Sequence, residues 1–256
     1  MASSSSRPTD PAELLALLWG GGDDVVRRGP ARSRTLGEVV EAGIVIADRG
    51  GLAAVTMRAV AGALDVSTMA LYGYVPGRDA LVALMTDRVY LQMPRPSLAD
   101  LPGRRRLERI ADLNRQLFTA HRWVADGSSA RPPLGPGVMA KYEYELGAFA
   151  GLGLDDVTTD DCLTYLLTFV DGAARAGLAA ESTRLGSGTS DQEWWERHQP
   201  LLARVFDEER YPTAARVGTA SATARGTAYD PDQAYRFGLA LTVDAICSLV
   251  PGAGSR

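Results

Sequence analysis

Four side chains that could hydrogen-bond or pack against another molecule lie close together in the chain: Ser67, Thr68, Met69 and Tyr72. The apolar residues around them have the spacing of a helix-turn-helix, in which two short helices pack against each other: Val60, Ala61, Leu64, Val66, Leu71 and Tyr74. In that motif the second helix enters the major groove of DNA, the only groove wide enough to admit a helix. The spacing therefore predicts that these four side chains face DNA.

Local signals predict the helices that position this motif. Thr35 and Glu38 have the spacing of a capping box, and Gly50 and Gly51 end the helix that begins there. Three shorter helices are expected after it, the first capped by Thr56 over 57–64, the second capped by Ser67 and running to about residue 75, and the third over 78–90. Asp65 occupies the turn of the motif, where a left-handed backbone is required and Asp tolerates it better than most residues.

Residues 35–90 resemble the N-terminal domain of the TetR family of transcriptional repressors. The resemblance is specific over 44–81, which reads IVIADRGGLAAVTMRAVAGALDVSTMALYGYVPGRDAL. It implies that one group of residues holds DNA phosphates: Thr56, Tyr72, Tyr74 and Arg78. It also implies that Thr68, Met69 and Gly73 face bases. Gly73 departs from the family pattern, because a larger residue usually stands there, and glycine weakens a helix by about 1 kcal/mol relative to alanine.

The segment before this motif, residues 1–34, is expected to be a flexible arm. It contains an apolar patch, LLALLW at 14–19, a GGGDD run and then several arginines. Arg32 and Arg34 are predicted to contact phosphates. Because the net charge of the chain is -4, DNA contact must be local instead of resting on a general positive field.

The remainder of the chain, 91–256, also shows apolar residues at helical spacing and no alternating strand pattern, so the fold class is predicted to be all-α. Pro-, Gly- and Ser-rich stretches at 182–191 and 212–231 are expected to be flexible loops. Beyond residue 103 the sequence resembles the ligand-binding and dimerisation domain of the TetR family, particularly the tetracycline-repressor subgroup. Candidate ligand contacts lie on the matching segments, and packing in the core explains each of them equally well: Ile110, Asn114, Phe118, Arg131, Glu145, Phe149, Tyr165 and Phe169.

Two long apolar segments, 162–180 and 235–250, are expected to form a homodimer interface. Small residues such as Gly172, Gly177 and Gly238 would let helices approach closely, and the resemblance places a two-fold interface on the same two helices. A two-fold dimer would read a palindromic operator, with half-sites about 34 Å apart.

The chain shows no set of residues for catalysis or metal binding. His121 and His198 have no second ligand at metal spacing, and Cys162 and Cys247 are too far apart for a cluster. No enzyme activity, metal or cofactor is therefore predicted. The absence of a membrane-spanning run or a signal peptide predicts a cytoplasmic protein with no membrane partner.

These observations predict a DNA-binding repressor that a small apolar or amphipathic molecule releases from its operator. The alternative is a helical ligand-binding or scaffold protein whose DNA binding has weakened, which the Gly73 departure and the near-neutral charge allow.

Overall fold

The computed structural model describes residues 10–20, 34–126, 132–227 and 229–251, and these residues form twelve α-helices and no β-strand. The predicted all-α fold class is confirmed. The helices are α1 (Pro11–Trp19), α2 (Leu36–Ala54), α3 (Met57–Ala63), α4 (Thr68–Leu71), α5 (Arg78–Gln92), α6 (Gly103–Ala120), α7 (Arg122–Asp126), α8 (Pro136–Gly147), α9 (Asp156–Ser187), α10 (Asp191–Leu202), α11 (Pro212–Arg225) and α12 (Pro231–Ser248).

Helix α2 begins at the predicted capping box. The Thr35 hydroxyl oxygen accepts a hydrogen bond from the Glu38 backbone N–H at 3.1 Å, and the Glu38 carboxylate accepts one from the Thr35 backbone N–H at 2.7 Å. Its regular course is broken at Gly51, where φ is 70°, a left-handed value that suits glycine. Helix α2 packs against α3 and α5, and so forms the base on which the helix-turn-helix rests.

Helix α4 is shorter than the sequence predicted. It ends at Leu71 instead of residue 75, because tight turns replace the helical bonds: the N–H of Gly73 donates to the oxygen of Ala70 and the N–H of Tyr74 to that of Leu71. Glycine stabilises a helix less than any other residue except proline, which is consistent with termination at Gly73.

Helix α5 connects the helix-turn-helix to the C-terminal helices. It packs against both α2 and α8, whereas α6, α9 and α12 pack against one another. The buried apolar side chains of both halves form one continuous cluster. A displacement of the C-terminal helices can therefore reach the helix-turn-helix through packed side chains.

The expectation of a flexible arm over residues 1–34 is wrong for its apolar patch, which forms helix α1. Asp10 caps the helix with its side chain, Leu18 is buried, and the Trp19 indole N–H donates to the Leu134 oxygen at 2.8 Å. Apolar burial against α5 outweighs the entropy of a free segment. The arginines Arg27, Arg28 and Arg32 lie outside the described residues.

The two expected flexible loops are also largely wrong. Helix α9 continues through 182–187 and ends at Gly188, whose φ is 62°, while α11 occupies 212–225 and ends at Gly226, whose φ is 67°. The Gly and Ser residues mark the ends of helices here, because a left-handed C-terminal residue closes a helix. Helices α10 and α11 contain no buried residue.

Candidate DNA-binding surface and buried polar cluster

Side-chain caps set the geometry of the helix-turn-helix. The Thr56 hydroxyl oxygen accepts from the Ala59 N–H at 3.0 Å, and the Ser67 hydroxyl oxygen accepts from the Ala70 N–H at 3.1 Å. Asp65 adopts the predicted left-handed turn with φ of 55°. Each capping hydroxyl still has its own hydrogen to donate, so both remain able to contact a phosphate.

The side chains expected to face DNA are partly exposed on one short helix. Met69 is 79% exposed and Tyr72 is 48% exposed, while Thr68 at the start of α4 is half-buried. Since Leu71 is fully buried and fixes the opposite face of α4, this arrangement presents Met69 and Tyr72 outwards.

Arg78 and Arg34, both expected to hold phosphates, donate to backbone oxygens of the same chain. The Arg78 guanidinium donates to Val55 at 2.8 Å and to Leu52 at 2.6 Å, and so closes the end of α2. The Arg34 guanidinium donates to the oxygen of Leu64 at 3.0 Å, at the end of α3. The structure therefore gives both arginines a helix-capping role.

Tyr74 is buried, in contrast to the expectation that it holds a phosphate. Its ring belongs to the apolar cluster that supports the motif. Gly73, expected to face bases, is exposed and has no side chain to reach one. Arg32, the remaining candidate, lies outside the described residues.

The sequence interpretation missed Arg58, which is exposed on α3 two residues after its cap. It is the single basic residue between positions 56 and 77. This isolation within a helix-turn-helix is a signal that could have identified it. It is therefore a further candidate for a phosphate contact.

Two of the predicted ligand contacts meet inside the C-terminal half. The Asn114 side-chain N–H on α6 donates to the Glu145 carboxylate on α8 at 2.6 Å. Lys141, one turn earlier on α8, donates to both oxygens of the same carboxylate, at 2.6 and 2.8 Å. The Glu145 side chain is 2% exposed and that of Lys141 is 11% exposed, so this ion pair is almost fully removed from water.

Tyr90, near the end of α5, adjoins this cluster. The Lys141 ammonium lies 5.3 Å from the centre of its ring. Burial, and then the negative charges of Glu145 and Asp171, raise the pKa of Tyr90 to about 12. The buried polar cluster thus consists of Tyr90, Asn114, Lys141 and Glu145 and joins α5, α6 and α8.

The other predicted ligand contacts that the structure describes divide into three groups. Ile110, Phe118 and Phe149 are buried in the apolar core. Tyr165 is 59% exposed on the outer face of α9 and does not reach the buried polar cluster. Phe169 is half-buried and stacks on Tyr235, with ring centres 6.0 Å apart. Arg131 lies outside the described residues.

A second buried carboxylate fastens α5 to α8. Asp87 accepts from the backbone N–H groups of Gly137 at 3.1 Å and Val138 at 2.9 Å, at the N-terminus of α8. The carboxylate therefore acts as a cap supplied by another helix, and its charge favours the positive end of the helix dipole. Burial raises the pKa of Asp87, and the two N–H groups oppose that shift.

Comparison with known proteins assigns the family. The description "Tetracyclin repressor-like, C-terminal domain" matches residues 99–249. The chain is 35% identical to the HTH-type transcriptional repressor DrrR1 of Streptomyces coeruleorubidus over 250 residues, which cover 97% of this chain and 90% of that protein. The chain belongs to the TetR family. Its relatives are transcriptional regulators, so the predicted family and repressor function are confirmed.

Solved TetR-family structures share the fold. Apo ActR from Streptomyces coelicolor is 26% identical, with a TM-score of 0.65 over 88% of this chain and 99% of that one. ActR in complex with actinorhodin aligns with a TM-score of 0.73 at 22% identity, over 88% of this chain and all of that one. The second likeness supports the fold alone.

In this TetR-family chain, α9 and α12 share an exposed apolar face. Phe237 is 62% exposed, and Tyr165, Leu241 and Leu249 are similarly open. The small residues have two different surroundings: a Cβ atom at Gly238 would overlap the Phe169 ring, whereas one at Gly172 would meet open space. Gly238 thus serves packing between α9 and α12 within one chain, and Gly172 leaves the outer face accessible.

The second candidate histidine, His198, lies apart from both the motif and the buried polar cluster. His198 is exposed on α10, and its ring stacks on Trp194. Within the described ranges no three His, Cys, Asp or Glu side chains are placed to hold a metal ion. Among the same residues no helix has the length and hydropathy needed to cross a membrane.

Proposed function

We propose that this chain is a homodimeric transcriptional repressor whose operator binding is relieved by a small molecule held among α5, α6 and α8. The observation that carries the proposal is the course of α5. This helix begins at Arg78, beside the helix-turn-helix, and brings Tyr90 to the buried polar cluster. A ligand that displaces the cluster must therefore act on the helix that holds the DNA-binding unit.

On the DNA side, α4 enters the major groove with Thr68 and Met69 facing bases. Tyr72 and Arg58 hold phosphates, and the Thr56 and Ser67 hydroxyls donate to the backbone nearby. Arg78, Arg34 and Tyr74 support the motif from within, because their polar groups or rings are engaged or buried. Base contacts specify the sequence, and phosphate contacts set the register.

On the ligand side, the binding region has apolar walls and one polar end. Ile110, Phe118 and Phe149 supply apolar surface, and Asn114 and the ion pair between Lys141 and Glu145 supply hydrogen-bonding groups. An amphipathic molecule whose polar group replaces one bond of this cluster fits such a region. ActR, which shares the fold, has been solved with actinorhodin bound.

The dimer forms through the exposed apolar face of α9 and α12. Burial of that face against a second copy gives a self-complementary, two-fold interface. The protein acts in the cytoplasm, where it can reach DNA, and it catalyses no reaction.

Selection of a bound sequence from random duplex DNA tests the proposal. We expect the purified protein to enrich a palindrome and to release it when a ligand is added, with actinorhodin as the first probe. Asn114→Leu should keep the palindrome and lose the response to a probe that releases the wild type. A protein that enriches no sequence yet binds a probe would instead be the scaffold alternative.

A further inference from the structure

A carboxylate of the DNA-binding unit is hydrogen-bonded to the C-terminal half through residues that do not belong to α5. Asp48, near the end of α2, accepts from the Trp123 indole N–H on α7 at 2.7 Å. The same carboxylate oxygen lies 2.8 Å from Nδ1 of His121, the residue that ends α6. One side chain of α2 thus bonds to both residues at the corner between α6 and α7.

One partner in this contact is deeply buried. Trp123 is 1% exposed, and Asp48 supplies the acceptor that its buried indole N–H requires. The edge of the His121 ring packs against the indole, with ring centres 6.2 Å apart. On its other side α7 is held by an ion pair between Arg122 and Glu181 of α9, at 2.6 Å. Helix α7 is therefore fixed between α9 and α2.

The corner also continues directly from the helix that carries proposed ligand contacts. Ile110, Asn114 and Phe118 occupy successive turns of α6, and His121 closes that helix through a 2.8 Å bond from its N–H to the Leu117 oxygen. A shift or rotation of α6 must move His121 and Trp123, and with them the partners of Asp48. Helices transmit such displacements as rigid elements.

We infer that Asp48 is a positioning residue that ties the helix-turn-helix to the corner between α6 and α7. With α5 as the first connection, this tie is the second point at which the C-terminal half orients α2, and hence α3 and α4. Its role in operator release rests on the proposed function. The tie itself is a property of the free protein, because both of its ends are present in one chain.

Distances between the two halves of one chain test this inference. Cys162 and Cys247 are replaced by alanine, and nitroxide labels are attached at Met69→Cys on α4 and Glu143→Cys on α8, both exposed positions. Labelled chains are diluted into unlabelled protein so that double electron-electron resonance reports distances within one chain only. Asp48→Ala and Trp123→Phe are then compared with the parent protein.

We expect both variants to broaden and shift the distance distribution, with about a tenfold larger population of displaced helix-turn-helix units. The two effects should not add in the double variant, because they remove the same bond. Asp48→Asn retains an oxygen that can accept from the indole and should restore a distribution close to the parent. The matched control is Arg49→Ala, which removes the neighbouring exposed charge of α2 and leaves the bonds of Asp48 and the contact with α5 in place.

Parent-like distributions for both Asp48→Ala and Trp123→Phe would overturn the inference, as would equal broadening by Arg49→Ala. If Asp48→Ala fails to fold, Trp123→Phe and Asp48→Asn decide the result. Failure of the proposed function has a separate sign, since it would appear as a wild-type protein that enriches no duplex sequence while the distance result stands.

Discussion

Removal of the Glu145 carboxylate should destabilise the protein strongly. Glu145→Ala leaves the Lys141 ammonium, which is only 11% exposed, without its carboxylate partner. The Tyr90 ring, 5.3 Å away, is the contact that the ammonium keeps in this cluster. The substitution also removes the acceptor of the Asn114 N–H at 2.6 Å, although that group keeps its bond to the Ile110 oxygen. Breaking one side of a buried ion pair costs about 3–5 kcal/mol, a large part of a typical unfolding free energy of about 5–15 kcal/mol.

Two further variants separate the cost of a lone charge from the value of the pair. Glu143→Ala, two residues earlier on the exposed side of α8, is the control and should change the unfolding free energy by less than about 0.5 kcal/mol. Lys141→Met combined with Glu145→Leu should recover most of the loss, because no charge is then left buried.

Urea denaturation followed by far-UV circular dichroism measures these differences. All variants are compared at one protein concentration, since the stability of an oligomer depends on it. Equal slopes of unfolding free energy against urea concentration would show that the variants expose the same amount of surface on unfolding. A loss below about 1 kcal/mol for Glu145→Ala would refute the reasoning, and so would a double variant no more stable than the single one.

Four further outcomes are expected. Gly137→Ala should lower the unfolding free energy by about 1–3 kcal/mol in urea denaturation, because the added Cβ would overlap a backbone oxygen of α5. Gly147→Ala is the control, since its Cβ would meet open space, and it should not lower the unfolding free energy. Equal effects of the two variants would show that the close approach of α8 to α5 at Gly137 does not limit stability. Between about pH 10 and pH 12 the wild type should lose stability, because its folded state disfavours ionised Tyr90, whose pKa is raised to about 12. Tyr90→Phe should lose less over that window, and an unchanged pH profile in urea titrations would contradict the assignment. Arg58→Ala should lower the slope of log affinity against log salt by about 0.9 in fluorescence anisotropy with the selected palindrome, so an unchanged slope would exclude a phosphate contact. Ala245→Glu on α12 should give a folded monomer with lost operator binding, and light scattering that still shows a dimer would place the interface elsewhere.

Features that depend on a few neighbouring residues were predictable from the sequence. The capping box of Thr35 and Glu38, the caps Thr56 and Ser67, and the left-handed Asp65 are all present as predicted. Each involves bonds that span three residues or fewer, or the steric freedom of one backbone position. Residue type and spacing are therefore sufficient to indicate them.

The roles of the arginines and aromatic residues near the motif were not predictable in the same way. Arg78 was expected on a phosphate and bonds to Leu52 and Val55, more than 20 positions earlier in the chain. Tyr74 was also expected on a phosphate, and its side chain is buried. A guanidinium can donate equally to a phosphate or to a carbonyl, so its partner depends on which group the folded chain brings within reach.

The amino-acid sequence by itself determined that this protein is all-helical, where its helix-turn-helix lies, and which caps define it, since those properties follow from local periodicity and backbone chemistry. Only the tertiary structure decided that Asn114 and Lys141 share the Glu145 carboxylate, with a separation of 31 residues between Asn114 and Glu145. It also decided that Asp48 accepts a hydrogen bond from Trp123, 75 residues later in the chain. No local preference selects such partners. They are selected when packing brings distant polar groups out of water together, and each buried donor must then find the acceptor that the fold places beside it.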